Sequence, residues 1–185
     1  MYIFPLVVVV IGISVAVMYN SLVRRKNQVT NIFATVDAML KKRYDLIPNL
    51  VAVAEEYMKH ERHLLSEVTR LRAQAISGNL SDEKKIEIDR QISKAIKGIF
   101  VAVENYPDLK ANQNFLHLQA TMVELEEQIS AARRAYNSAV TDYNNGVEMF
   151  PTNLVAKAFG FSPKRLFEIE PSERAVPDAH LLFQR

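Results

Sequence analysis

Residues 2–26 read YIFPLVVVVIGISVAVMYNSLVRRK, and this stretch decides how the chain is organised. Its first eighteen residues, through Tyr19, contain no charged side chain, and Arg24, Arg25 and Lys26 follow after four further residues. A helix of that length covers roughly 27 Å of a hydrocarbon core about 30 Å thick. The stretch is therefore predicted to be a transmembrane anchor. The anchor, residues 1–23, includes Tyr2, Phe4, Val8, Ile11, Val15 and Met18.

A cleaved signal peptide is the alternative interpretation, because Ser14, Val15 and Ala16 resemble a small-residue cleavage site. A secretory signal normally carries Lys or Arg before its apolar stretch, whereas here the basic cluster comes after it. The order of charges therefore favours a retained anchor. Basic residues next to a span remain cytoplasmic, so we expect the N-terminus outside and the rest of the chain inside.

Composition limits what the remainder of the chain can be. The sequence has 185 residues and a formal net charge of +2, which leaves about 160 residues, enough for one domain, after the anchor. This near-neutral balance gives no electrostatic case for binding nucleic acid. There is no cysteine, which excludes disulfides, thiolate nucleophiles and thiolate metal sites.

Apolar residues recur every three or four positions beyond the anchor, a spacing that predicts an all-α fold. Four helices are predicted at about 20–44, 50–75, 81–105 and 109–149, separated by Pro48, the Gly78 region and Pro107. We expect an antiparallel up-and-down four-helix bundle over 24–150. A short amphipathic segment over 151–170 and a tail over 171–185 complete the predicted organisation.

Pro48 leaves two arrangements open, because the apolar spacing continues across it with no glycine to mark a loop. A tight turn there would give a bundle with short connections. A kink would instead join the first two helices into one long bent helix. The preference for short connections favours the turn.

Several motifs occur in order along the chain. Their residues are Tyr44, Asp45, Pro48, Asn49, Asn105, Tyr106, Pro107, Lys110, Arg133, Tyr136, Asn137, Phe150, Pro151, Gly160 and Phe161. With these motifs the chain resembles the bacterial LemA family, from the anchor through about Phe167. The resemblance implies a membrane helix in the cytoplasmic (inner) membrane, a cytoplasmic helical bundle and no established catalytic activity. It also implies envelope functions, often near a membrane metalloprotease, and for some relatives a link to magnetosome membranes.

Structural roles are predicted for the motif residues. Pro48 and Pro107 are expected to begin helices, where a missing N–H costs least. The asparagines are expected to cap helix ends or tie helices together, with a ligand site as the alternative. These are Asn49, Asn105, Asn112 and Asn137. The segment from Phe150 to Phe161 is expected to fold onto the bundle; docking on a membrane or a neighbouring subunit is the alternative.

Motifs for enzymatic chemistry are missing from the sequence. His60, Glu61 and His63 resemble a zinc-binding helix, but the H-E-x-x-H motif needs His at position 64, where the chain has Leu64. The E-x-x-H repeats of di-iron bundles, nucleophile elbows and glycine-rich phosphate loops are also missing. We therefore predict no catalytic, cofactor-binding or metal-binding residue.

Two functional hypotheses follow. The first is a membrane-anchored structural protein that self-associates into a large homo-oligomer and organises or shapes the bilayer. The second is an adaptor that presents partners or clients to an envelope protease, using the apolar residues of the tail around Val176 and Leu182. A ligand-binding sensor is a third possibility, for which the sequence offers no pocket signal.

Overall fold

The computed structural model describes residues 2–78 and 80–167, and every regular element within these ranges is an α-helix. The helices are α1 (Ile3–Glu55), α2 (Arg62–Ile76), α3 (Asp82–Val103), α4 (Pro107–Lys110), α5 (Gln113–Glu148) and α6 (Thr152–Ala158). The all-α prediction is therefore confirmed for the described residues. The predicted tail, 171–185, lies outside them.

Helix α1 is 53 residues long and joins the apolar stretch to the bundle without a break. It includes an 18-residue window with a mean hydropathy of 2.4, and 6% of this window is buried in the protein. By length and composition this part of α1 is sufficient to cross a membrane. The predicted boundary between the anchor and the bundle, at residues 23 and 24, therefore lies inside one continuous helix.

The second half of α1 forms a bundle with α2, α3 and α5, and contacts between them fix the direction of each helix. Arg25 of α1 donates a hydrogen bond to Asp142, near the end of α5, whereas Tyr57, just after α1, accepts one from Asn112, at the start of α5. The two helices are therefore antiparallel. Helix α3 runs parallel to α1, because its Lys85 and Asp89 meet Asp37 and Arg43. Helix α2 runs opposite to α3, with Leu64 beside Gly98. The order is therefore up, down, up and down.

The core of the bundle consists of aliphatic side chains at the spacing that the sequence shows. Those that are at most 1% exposed include Val36, Leu40, Ile47, Leu50, Val68, Ile92, Ile99 and Ile129. Each fully buried aliphatic side chain contributes about 1.5–3 kcal/mol relative to an exposed one, so this core holds the four helices together.

The predicted turn at Pro48 is wrong, because α1 continues through Pro48 to Glu55 and the chain reverses at 56–61. Pro48 has no N–H to donate to the carbonyl oxygen of Tyr44, four residues earlier. Arg72 of α2 donates its Nε–H to that oxygen at 2.7 Å. A side chain from the neighbouring helix thus replaces the missing helical hydrogen bond, and the predicted helix start at residue 50 moves to Arg62.

Other helix ends follow local sequence chemistry. Gly78 ends α2 with a φ of +99°, and the hydroxyl oxygen of Ser81 accepts a hydrogen bond from the Lys84 N–H at the start of α3. Pro107 is the first residue of α4. The predicted helix at 109–149 is divided, because the side chain of Asn112 caps a new helix, α5, by accepting from two backbone N–H groups.

The Arg72 contact gives a testable coupling. With Pro48 present, Arg72→Met should lower the free energy of unfolding by about 1–2 kcal/mol, because the carbonyl oxygen of Tyr44 loses its donor. In a Pro48→Ala background the alanine N–H donates to that oxygen, so Arg72→Met should lower the free energy of unfolding much less. A denaturation double-mutant cycle measures the difference. Arg70→Met, which breaks an exposed pair with Glu67, is the control and should cost the same in both backgrounds; zero coupling for Arg72 would contradict this account.

Candidate functional site at the membrane-proximal end

Helix α5 meets α1 where the apolar stretch ends. A Cβ atom at Gly146 would lie 3.2 Å from Leu22 Cδ2 and 3.3 Å from Arg25 Cδ, so glycine allows the two helices to approach closely. Arg25 donates from Nη1 to the carbonyl oxygen of Asp142 at 2.7 Å. The end of α5 is thereby held at the level of the basic cluster that follows the predicted anchor.

After α5 the chain turns at Phe150 and Pro151 and folds back along α1 and α5. Helix α6 buries Val155 and Ala156 against the bundle, and Gly160, with a φ of +71°, ends the helix. The segment at 161–167 then runs along the bundle without regular structure. This arrangement places the motif residues Phe150, Pro151 and Gly160 together at one end of the molecule.

Two asparagines of α5 hold the segment at 161–167 in place. The amide of Asn137 donates to the carbonyl oxygen of Phe167 at 3.0 Å and accepts from its N–H at 2.8 Å. Asn144 makes the same reciprocal pair with Lys164, at 2.9 Å in both directions. Each amide pairs with the backbone as a neighbouring strand would. Asn137 belongs to the sequence motifs and Asn144 does not, although their spacing of seven residues places both on one face of α5.

Aromatic rings pack beneath this segment. Tyr136 lies 5.5 Å from Phe33 and 5.1 Å from Phe167, measured between ring centroids. Burial, with smaller contributions from Asp82 and Glu83, raises the pKa of Tyr136 to about 12. The hydroxyl group therefore stays protonated at neutral pH, which fits a structural role in this cluster rather than acid–base chemistry.

A buried polar network lies deeper in the bundle and joins α1, α3 and α5. Arg43 and Asp89 are each 1% exposed. The carboxylate of Asp89 bridges Arg43 and Arg133, and Arg43 donates to Ser93 Oγ at 2.8 Å and to Glu126 Oε2 at 2.5 Å. Two cations thus face two carboxylates, so the formal charges balance.

Burial dominates the electrostatics of Arg43. Desolvation lowers the pKa of its guanidinium group, and the nearby carboxylate of Glu126 partly opposes that shift. Arg133 belongs to the sequence motifs, whereas Asp89 and Glu126 do not. The sequence does indicate a buried charge at Asp89, because this residue lies three and seven positions before Ile92 and Ile96, on the apolar face of α3.

The remaining motif residues lie elsewhere. Tyr44 is buried, Asp45 is exposed and pairs with Lys41 at 2.9 Å, and Asn49 is exposed. The motif around Pro107 forms the corner between α3 and α5 at the opposite end of the bundle, where Lys110 pairs with Glu104. The structure therefore does not bring the motifs together into one site.

One surface cavity, of about 200 Å³, lies between α1 and α5 near Gly146, and Arg25 contributes to its lining. Another, of about 320 Å³, lies beside Pro48, with Glu55 and Arg72 in its lining. Typical ligand sites are about 300–1,000 Å³, so the second cavity is at the lower end of that range and the first is below it. Within residues 2–78 and 80–167, no group of three or more His, Asp or Glu side chains is placed to hold a metal ion.

Comparison with known proteins gives a consistent result. The model of the LemA family matches residues 18–180. Protein LemA of Metamycoplasma hominis is 26% identical over 159 residues, which cover 86% of this chain and 73% of the relative. Magnetosome protein MamQ 2 of Paramagnetospirillum magneticum and magnetosome protein MamQ of Magnetospirillum gryphiswaldense are 22% and 20% identical, and each match covers 83% of this chain and 66% of the relative. None of these three names describes an enzyme.

Proposed function

The chain belongs to the LemA family, and from this premise we propose that it is a non-enzymatic structural protein anchored in the bacterial cytoplasmic membrane. One helix crosses the bilayer with its N-terminus outside, and the bundle lies in the cytoplasm. Copies self-associate through the bundle into a large oligomer that organises or shapes the membrane. The relatives named as magnetosome proteins support a role in membrane organisation by analogy.

The continuity of α1 is the observation that carries the anchoring in this proposal. The apolar stretch is almost entirely uncovered by protein, with 6% of its window buried, and exposed apolar surface of this extent needs lipid around it. Val15 and Met18, near its end, already pack against the bundle core. Cleavage of the stretch as a signal peptide would break a packed helix, whereas retention leaves the bundle rigidly joined to its anchor.

The charges near the membrane edge support the orientation. Arg24 and Lys26 are exposed, and Arg25 is bonded to the end of α5. All three cations therefore lie on the bundle side of the apolar stretch. Positive charges close to a span are retained in the cytoplasm, so the bundle is cytoplasmic in this proposal.

Exposed apolar side chains on the bundle support self-association. They include Ile76, Val101, Leu116 and Val123, whose exposed fractions range from 40% to 65%. Single exposed apolar residues are ordinary on soluble proteins. On copies confined to one bilayer, however, weak contacts add up, because the anchor raises the effective concentration of each neighbour.

A cysteine introduced at Ala131, an exposed residue of α5 outside this set of apolar side chains, tests orientation and assembly together, because the natural chain has no cysteine. In intact cells, a membrane-impermeant maleimide should label Tyr2→Cys but should label Ala131→Cys only after permeabilisation. The full-length Ala131→Cys protein, labelled with donor or acceptor dye and placed in vesicles, should show energy transfer that persists when lipid is increased about tenfold. Transfer that falls to the value for random proximity would refute self-association.

A further inference from the structure

Four large apolar side chains are exposed at the membrane-proximal end of the bundle. They are Met149, Phe150, Leu154 and Phe159, with exposed fractions of 62%, 78%, 62% and 57%. They lie within eleven consecutive residues of the turn and α6, while Val155 and Ala156 on the same helix are buried. These four residues, here named the apolar face, form a concentrated patch rather than scattered single residues, and such patches mark interaction surfaces.

The apolar face lies beside the last turns of the predicted span. The ring of Phe159 is 4.9 Å from the ring of Tyr19, between centroids, and the ring of Phe161 is 5.8 Å from it. Tyr19 lies five residues before Arg24, the first charged side chain of the sequence. Helix α6 packs against α1. Val15 and Met18 of α1 are partly buried against the hydrophobic core, to which Val155 and Ala156 of α6 also belong. With α1 anchored as proposed, Phe159 therefore lies at the depth where hydrocarbon gives way to headgroups.

The charges around the face are mainly positive. Lys157 lies in the last turn of α6, and Lys164 follows on the bound segment. On α1, Arg24 is exposed and Lys26 places its Nζ 5.9 Å from the Phe161 ring centroid. Glu148 is the acidic residue that lies next to the turn. Apolar side chains flanked by cations are typical of segments that lie in the interface of a bilayer with anionic lipids.

We propose that the apolar face inserts into the acyl–headgroup boundary of the bilayer that α1 crosses. The inference rests on the proposed anchoring, to which it adds a second membrane contact, made by residues 149–159. The asparagine pairs at Asn137 and Asn144 hold the segment that follows α6, so the face is fixed relative to α1. Two fixed contacts hold the bundle at a defined tilt and rotation, so that neighbouring copies present the same sides to one another.

Tryptophan fluorescence tests this directly, because the natural chain contains no tryptophan. Four full-length variants are placed in vesicles of phosphatidylcholine with a quarter phosphatidylglycerol: Phe150→Trp, Leu154→Trp, Val10→Trp in the span, and Val123→Trp on the exposed side of α5. Lipids brominated near the headgroup should quench Phe150→Trp and Leu154→Trp about twofold or more. Lipids brominated deep in the chain should quench Val10→Trp most strongly, and neither lipid should affect Val123→Trp.

The remaining outcomes separate the two proposals. If Val10→Trp is not quenched, the anchoring itself is wrong. If Val10→Trp is quenched but Phe150→Trp and Leu154→Trp are not, the anchor stands and the interfacial inference is overturned. Blue-shifted, unquenched emission from both face variants that depends on the protein-to-lipid ratio would mean that a second copy covers the face, which also overturns it. Circular dichroism confirms that each variant is folded.

Discussion

Replacing Asp89 by alanine should lower the free energy of unfolding by about 3–5 kcal/mol. Its carboxylate bridges Arg43 and Arg133, and both Arg43 and Asp89 are 1% exposed. Without the carboxylate, Arg43 is left in a desolvated position with Glu126 as its remaining anionic partner. Chemical denaturation of the full-length protein in mild detergent, followed by helical circular dichroism, measures the loss.

Asp45→Ala is the matched control for this experiment. Asp45 also pairs with a cation, Lys41, at 2.9 Å, but both side chains are more than half exposed. Solvent-exposed pairs of this kind contribute about 0.2–1 kcal/mol, so the control should change stability little. Equal losses for Asp89→Ala and Asp45→Ala would show that the buried network does not hold α1, α3 and α5 together.

The second large effect concerns the anchor. Replacing both Val8 and Ile11 by arginine should remove the protein from the membrane fraction, because each arginine near the centre of a span costs about 2.5–3.5 kcal/mol of insertion free energy. Both residues are more than half exposed on α1, so the bundle does not depend on them for packing. Extraction of membranes with alkaline carbonate, followed by immunoblotting of pellet and supernatant, measures the retained fraction.

The matched control places the same charges outside the span. Gln28 and Asn31 are exposed on α1 and have the same three-residue spacing as Val8 and Ile11. Changing both to arginine should leave the protein in the membrane pellet. Retention of the Val8 and Ile11 variant at the level of this control would contradict a transmembrane role for the apolar stretch.

Local patterns in the sequence predicted the helical class and the long apolar start of α1, because both depend on spacing and composition. The helix end at Gly78 was predicted for the same reason. Pro48 was misjudged because the cost of a proline inside a helix was assessed without its neighbours. The Arg72 contact that offsets this cost comes from α2, and a contact between helices leaves no trace in local periodicity.

The partners of the polar side chains in the site were also not predicted from local sequence. Arg133 and Asn137 were identified through the motifs that the chain shares with its family, but their partners were not. Asp89 lies 44 residues before Arg133, and Phe167 lies 30 residues after Asn137. Such pairings depend on how helices are arranged in space. A charged or amide side chain on an apolar helix face was the one local sign that Asp89 and Asn144 have partners elsewhere in the chain.

Electron microscopy of the full-length protein, extracted gently with its surrounding lipid, tests the central claim most directly. A membrane-anchored, self-associating protein should appear as lipid-containing particles of regular size, whose symmetry reveals the contacts between bundles. The Val8 and Ile11 double-arginine variant should give no lipid-containing particles. Isolated monomers or dimers of the natural protein in its own lipid would contradict the proposal that it organises membranes by self-association.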